Sequence, residues 1–299
     1  NKSSEAILDE IKYKVLARAS LNLVNVINGT GIVLHTGFGR APFNSKNLKK
    51  IAKKMEGYVN LEFNLNDGKR GDRQEHVRAI LSSVCESESS LVVNNNAAAV
   101  MLAINGIAKG GEVIVSRGEL VEIGGSFRIP DIIHASGAIL KEVGTTNRTH
   151  SKDYINAINK NTKLILTVHT SNYIVKGFTK SVRLAELVSL GHNYNLPVMV
   201  DWGSGSLLKN ISKNTSLDIP INQLMKDKPD IVTFSGDKLI GGPQSGIIVG
   251  KGNIIKALQK NTLYRPLRPD KLTIGLLEET LRGYRSTSFS KDNLSLNML

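Results

Sequence analysis

Asp201 and Lys238 stand 37 residues apart, and each follows closely on a short apolar run that reads as a β-strand, Leu196–Val200 and Ile231–Phe234. A carboxylate that keeps a pyridine nitrogen protonated and an amine that condenses with an aldehyde are the two groups pyridoxal 5′-phosphate requires of a protein. A third run, Leu91–Val93, is followed by Asn94, Asn95, Asn96 and then Ala97, Ala98 and Ala99. Small residues there let a helix N-terminus approach an anion, whose charge its free N–H groups and dipole favour. A fourth run, Lys163–Val168, leads into His169, Thr170, Ser171 and Asn172. Taken singly, each has an ordinary role: Lys238 as a surface lysine, Asp201 as a helix cap, Asn95 and Asn96 as caps, and the glycines around Lys238 as turn residues. Their order at successive strand ends favours the chemical reading, because ligands of open α/β sheets gather at the carboxyl ends of the strands. Gly241-Gly242 lacks the Lys-Ser/Thr of a nucleotide-hydrolysing phosphate loop.

The elements that must position these residues alternate. Residues 5–20 read as a helix with Ser3 or Ser4 as cap, and Val24–Leu34 as a strand or extended entry. Further strands are expected at Glu112–Val115, Ile132–Ala135, Ile139–Val143 and Gly246–Val249. Helices are expected at Ala97–Ile107, around Tyr154–Ile158, at Val182–Tyr194 and at Lys271–Tyr284. Short apolar strands alternating with helices predict an α/β fold with a mostly parallel central sheet covered on both faces.

Composition narrows the rest. The chain has 299 residues, 40% of them hydrophobic, enough for a large core, and its 22% of charged residues is too few for a disordered chain. One cysteine, Cys85, excludes a disulfide framework and multi-thiolate metal sites, and no metal ligand set is expected. Apolar runs fall far short of the roughly 20 residues that span a bilayer, and no signal-peptide pattern opens the chain. A soluble, cytoplasmic setting is expected, and the start at Asn1 suggests that something preceding it was removed. Thirty-nine basic residues against 26 acidic ones give a net charge of +13. The densest cluster is Lys46, Lys49, Lys50, Lys53 and Lys54, on one exposed helix side. It is either a solvated face or a track for phosphates; aromatics, at 5%, do not interleave with it as a base-stacking platform would.

Five segments carry a family resemblance: Asn28–Pro42, Ser116–Asp131, Val143–Arg148, Phe234–Gln244 and Tyr264–Arg268. On these the chain resembles the bacterial selenocysteine synthases, the L-seryl-tRNA(Sec) selenium transferases, over residues 24 to about 284. The resemblance implies the large domain of a fold-type I pyridoxal-phosphate transferase. It implies conversion of seryl-tRNA(Sec) to selenocysteinyl-tRNA(Sec) with selenophosphate, through β-elimination to a dehydroalanyl species and addition of selenium. Lys238 then holds the cofactor and serves as base, and Asp201 holds the ring nitrogen. Asn95, Asn96, Ala97 and Ser235 form the phosphate cradle, Asn172 reaches the ring oxygen, and His169 stacks or shuttles a proton. Arg40, Arg265 and Arg268 match arginines assigned to the selenium donor, and guanidinium forks suit such an oxyanion. Glu119 and Arg128 lie in a matched motif without a derived role. The implied assembly is a homo-oligomer, dimers arranged in a ring. Residues 1–23 are expected as a linker helix, 24–285 as the cofactor-binding domain and 286–299 as a tail, with the family's tRNA-gripping N-terminal domain and most of its C-terminal small domain missing. Two alternatives stand beside this reading: a lyase or transferase of a small amino acid without tRNA, and a truncated, non-catalytic remnant.

Overall fold

The computed structural model describes residues 2–123, 127–208, 219–285 and 293–298. Its centre is a seven-stranded sheet. The strands are β1 (Ser89–Val93), β2 (Glu112–Ser116), β5 (Ile139–Val143), β6 (Thr162–Val168), β7 (Val198–Asp201), β8 (Ile231–Ser235) and β9 (Gly246–Gly250), in the order β1-β9-β8-β7-β6-β2-β5. A two-stranded ribbon, β3 (Glu122–Ile123) and β4 (Phe127–Arg128), stands apart. Strands β8, β7, β6, β2 and β5 run parallel, whereas β9 is antiparallel to both neighbours.

Alternation along the strands sends neighbouring side chains into different cores. Leu91, Val93, Met199 and Ile248 pack on one face against helices α4 (Asn96–Ala108), α5 (Ile129–Ala135) and α9 (Gly252–Lys260). Val92, Val200, Ile247 and Val249 pack on the other against α3 (Glu75–Cys85) and α11 (Lys271–Gly283). Ile114, Ile165 and Val198 extend that second face under α6 (Ser151–Ala157) and α7 (Leu184–Asn193). Helix α4 is apolar nearly all round because it lies between the sheet and other helices. A Cβ on its Gly106 would overlap the side-chain tip of Leu258 of α9, so a larger residue there would have to displace that side chain.

The expected α/β architecture is present, with local differences. Ile132–Ala135 is the end of helix α5 rather than a strand: Pro130 opens the helix, and Ile129 and Ile133, one turn apart, are both buried. A four-residue apolar run cannot itself distinguish the two periods. Of the two readings for residues 24–34, strand or extended entry, no strand forms; there Asn28 closes a local turn, its Nδ2 donating to the Ile32 carbonyl and its Oδ1 accepting from Thr30 N–H. Helix α1 (Ser4–Ala19) forms where expected, capped by Ser3, but buries none of its side chains. The five lysines lie on or at the end of helix α2 (Ser45–Met55), all exposed, with Ile51 turned inward. Most of the expected 286–299 tail lies outside the described residues, which resume at Asn293 and a short helix, Leu294–Met298.

Gly246 begins β9 where that strand crosses the β1–α4 turn, and a Cβ there would overlap the Asn95 carbonyl. Gly246→Ala should destabilise the fold by about 3 kcal/mol, the upper range for a buried overlap that the backbone cannot escape. Urea denaturation measures this, and a variant as stable as the parent would refute it.

Candidate active site

Asp201 is the last residue of β7 and only 2% exposed. Its Oδ1 accepts from Asn96 Nδ2 at 2.9 Å and from Thr233 Oγ1 at 3.1 Å. Thr233 is its register partner on β8, which explains a hydroxyl in the otherwise apolar run Ile231–Phe234. Burial pushes the Asp201 carboxyl above the ordinary aspartate range, opposed by those two hydrogen bonds and by the Lys238 charge. A cation brought to this carboxylate would relieve the desolvation.

Lys238 lies on the loop between β8 and β9. Gly236 N–H donates to the Ser245 carbonyl, Gly242 N–H to Gly236, and Gly241 N–H to Lys238, each within 3.0 Å. A Cβ on Gly236 would overlap Ser245, so the fold of this loop requires glycine there. Lys238 Nζ lies 3.6 Å, and Asn96 Nδ2 3.9 Å, from where a Cβ on Gly203 would stand. Asp201, Asn96 and Lys238 therefore meet around a residue without a side chain, and the two groups 37 residues apart in sequence are brought together.

Asn95 is the N-cap of α4, and its Oδ1 is engaged by Ala98 N–H at 2.8 Å. The backbone N–H groups of Asn96 and Ala97 remain as the first-turn donors of a 13-residue helix. Asn94 N–H donates to the Leu267 carbonyl, and this seats the Tyr264–Leu267 helix (α10) beside the same turn. Ser235 is buried at the end of β8 and bonds through its N–H to the Gly203 carbonyl. His169 stacks on Trp202, ring centroids 3.9 Å apart, while its N–H donates to the Asp201 carbonyl. One face of its ring is thus covered within the chain. Asn172 lies apart from this cluster, exposed, with Nδ2 on the Glu122 carbonyl.

The three arginines do not converge within one chain. Arg40 pairs with Asp237, next to Lys238, at 3.2 Å. It adopts φ 61°, an uncommon conformation for a residue with a side chain. Arg265 and Arg268 line a different cavity of about 310 Å³, together with Glu62, Arg70 and Tyr264. Glu62 binds Arg70, Arg73 and Arg268, and the Arg73 hydrogen bond above all holds its carboxyl below the ordinary glutamate range. Glu62, Thr233 and Asp237 are site residues that the sequence reading missed. Arg128 is exposed and paired with Glu122.

Glu119 sits in the short helical turn after β2, and its carboxylate accepts from Val168 N–H at 3.0 Å and Thr167 Oγ1 at 3.1 Å. It fastens that turn to the end of β6, the strand that delivers His169, and shares with His169 and Trp202 the lining of a cavity of about 750 Å³.

Residues 26–299 match the family model described as L-seryl-tRNA selenium transferase. The chain belongs to that family. The match continues past residue 284, where the sequence motifs end, through the final short helix. L-seryl-tRNA(Sec) selenium transferases from Aquifex aeolicus and from Caldanaerobacter subterraneus subsp. tengcongensis are 50% and 49% identical over 95% and 99% of the chain. The chain covers 63% and 64% of their lengths. The relative from Alkaliphilus metalliredigens is 52% identical over 92% of the chain, which covers 59% of that relative's length. Among solved structures, a D-glucosaminate-6-phosphate ammonia-lyase superposes with a TM-score of 0.70 at 21% identity, covering 91% of this chain and 70% of that one. An aspartate aminotransferase from Thermotoga maritima superposes at 0.58 and 16%, covering 94% and 72%. These likenesses show a fold-type I architecture. Among the described residues, no helix is long and apolar enough to cross a membrane.

Burial pushes the Glu119 carboxyl up to about 7 from an ordinary 4.5. The folded state therefore keeps this proton where the unfolded chain has lost it, and stability falls as pH rises between those values. Glu119→Gln should flatten that part of the stability curve, measured by urea denaturation from pH 4 to 8; parallel curves for the two proteins would refute it.

Proposed function

We propose that the chain is the cofactor-binding domain of a pyridoxal 5′-phosphate enzyme that converts seryl-tRNA(Sec) to selenocysteinyl-tRNA(Sec) with selenophosphate as donor. The observation that carries this reading is the buried Asp201 carboxylate, held by Asn96 and Thr233 and facing the Lys238 charge across Gly203. The residues fit the group: an anion for the ring nitrogen, an amine for the aldehyde and helix N–H donors for the phosphate. Family membership supports the substrate, which the relatives' names state.

When bound, pyridoxal 5′-phosphate supplies an electron-accepting ring that stabilises negative charge at the substrate Cα. Asp201 would keep the proton on the ring nitrogen, with Asn96 and Thr233 holding the carboxylate in place. Lys238 Nζ would hold the aldehyde and would be the base within reach of the substrate Cα proton. The N–H groups of Asn96 and Ala97, with the Ser235 hydroxyl, would hold the phosphate. Arg40 is adjacent to this amine through Asp237, whereas Arg265 and Arg268 receive the selenium donor's oxyanion from a separate cavity. Sites shared between copies of the chain, in a ring of dimers, would bring the three arginines together.

Purified protein titrated with pyridoxal 5′-phosphate should gain a visible imine band, and Lys238→Ala should lose it. Asp201→Ala should reduce turnover of seryl-tRNA(Sec) by at least a hundredfold. A parent protein that forms no band would overturn the cofactor reading. A banded protein that acts on free amino acids and leaves seryl-tRNA(Sec) untouched would overturn the substrate.

A further inference from the structure

The loop that carries Lys238 is held from behind by the end of the chain. Tyr284, just after α11, donates its hydroxyl to the Ile240 carbonyl at 2.9 Å and to the Leu239 carbonyl at 3.3 Å. Asn293 Nδ2 donates to the same Ile240 carbonyl at 2.9 Å. Asn293 is 6% exposed, and its own Oδ1 accepts from Leu296 N–H, so it also caps the final short helix. Ser295 and Leu296 of that helix are buried. Gly241 takes φ +72°, and a Cβ there would overlap the Asn293 amide, so this contact needs glycine at 241. Gly241 N–H closes the turn back onto the Lys238 carbonyl. Burial holds the Tyr284 phenol above its ordinary range and keeps it a neutral donor.

We propose that Asn293 and Tyr284 are positioning residues for Lys238, clamping the turn 238–241 so that the reach of the amine depends on how the C-terminal segment is seated. The inference rests on Lys238 being the reactive amine. A backbone carbonyl that receives two side-chain donors cannot turn toward solvent without breaking both, so the turn has one arrangement while the clamp holds. The hydrogen bonds of the clamp go to backbone carbonyls of the loop, and its effect on Lys238 is transmitted through that backbone.

Tyr284→Phe and Asn293→Asp break the clamp: phenylalanine loses the hydroxyl donor, and aspartate keeps the cap on Leu296 N–H while setting a carboxylate oxygen against the Ile240 carbonyl in place of the donor. Hydrogen exchange across residues 236–245 should quicken about tenfold in the double variant, with strand β6 unchanged. The pH midpoint of the imine band formed with pyridoxal 5′-phosphate should shift, and affinity for it should fall about tenfold. Competitive acetylation of Lys238 by acetic anhydride, followed by peptide mass spectrometry, should change its pH profile in the absence of cofactor. Faster exchange with an unchanged band and unchanged acetylation would overturn the proposal, leaving the clamp a purely structural support. Unchanged exchange would overturn it as well. A parent protein without an imine band would refute the cofactor reading instead, and the acetylation profile would still decide the role of the clamp.

Discussion

A carboxylate withdrawn from water at the end of β7 sets the terms for this molecule. An ionised aspartate in such surroundings is costly unless its oxygens are hydrogen-bonded and a positive charge stands near. Asp201 meets the first condition through Asn96 and Thr233, which come from the start of a helix and from the adjacent strand. It meets the second through Lys238. Strand register, the first turn of α4 and the β8–β9 loop are therefore fixed relative to one another by a single buried group.

Glycine at 236 and 246 serves the same arrangement by removing bulk. Position 236 lets the loop fold onto Ser245, and position 246 lets β9 pass the turn of Asn95. The glycines in this region are places where backbone or ligand must come close, which is why the loop is rich in them without being a nucleotide-binding loop.

Much of this was legible in the residues themselves. The strands around Leu91, Leu164, Met199 and Ile231 are largely apolar runs followed by Asn, His, Asp or Ser, so their positions could be read directly. The direction of β9 could not, since Gly246–Val249 is apolar in either orientation. The partnership of Thr233 with Asp201 depends on register, which no local pattern encodes. Ile132–Ala135 was misread because four apolar residues fit both a strand and the inner side of a short helix. Asn172 was expected at the site from the family resemblance, and in this structure its amide donates to the Glu122 carbonyl. Arg40 and Arg268 match one motif set yet lie against Asp237 and Glu62, because a motif names residue types and not the cavity they enter.

The order of the sheet has a bearing on how the protein is made. Strand β1 ends at Val93, but the strand beside it is β9, which closes only at Gly250. During synthesis the Asn94–Asn96 turn is translated early and has no neighbouring strand to seat it until more than 150 further residues have left the ribosome. The apolar side of β1 must be kept from other partners throughout that interval.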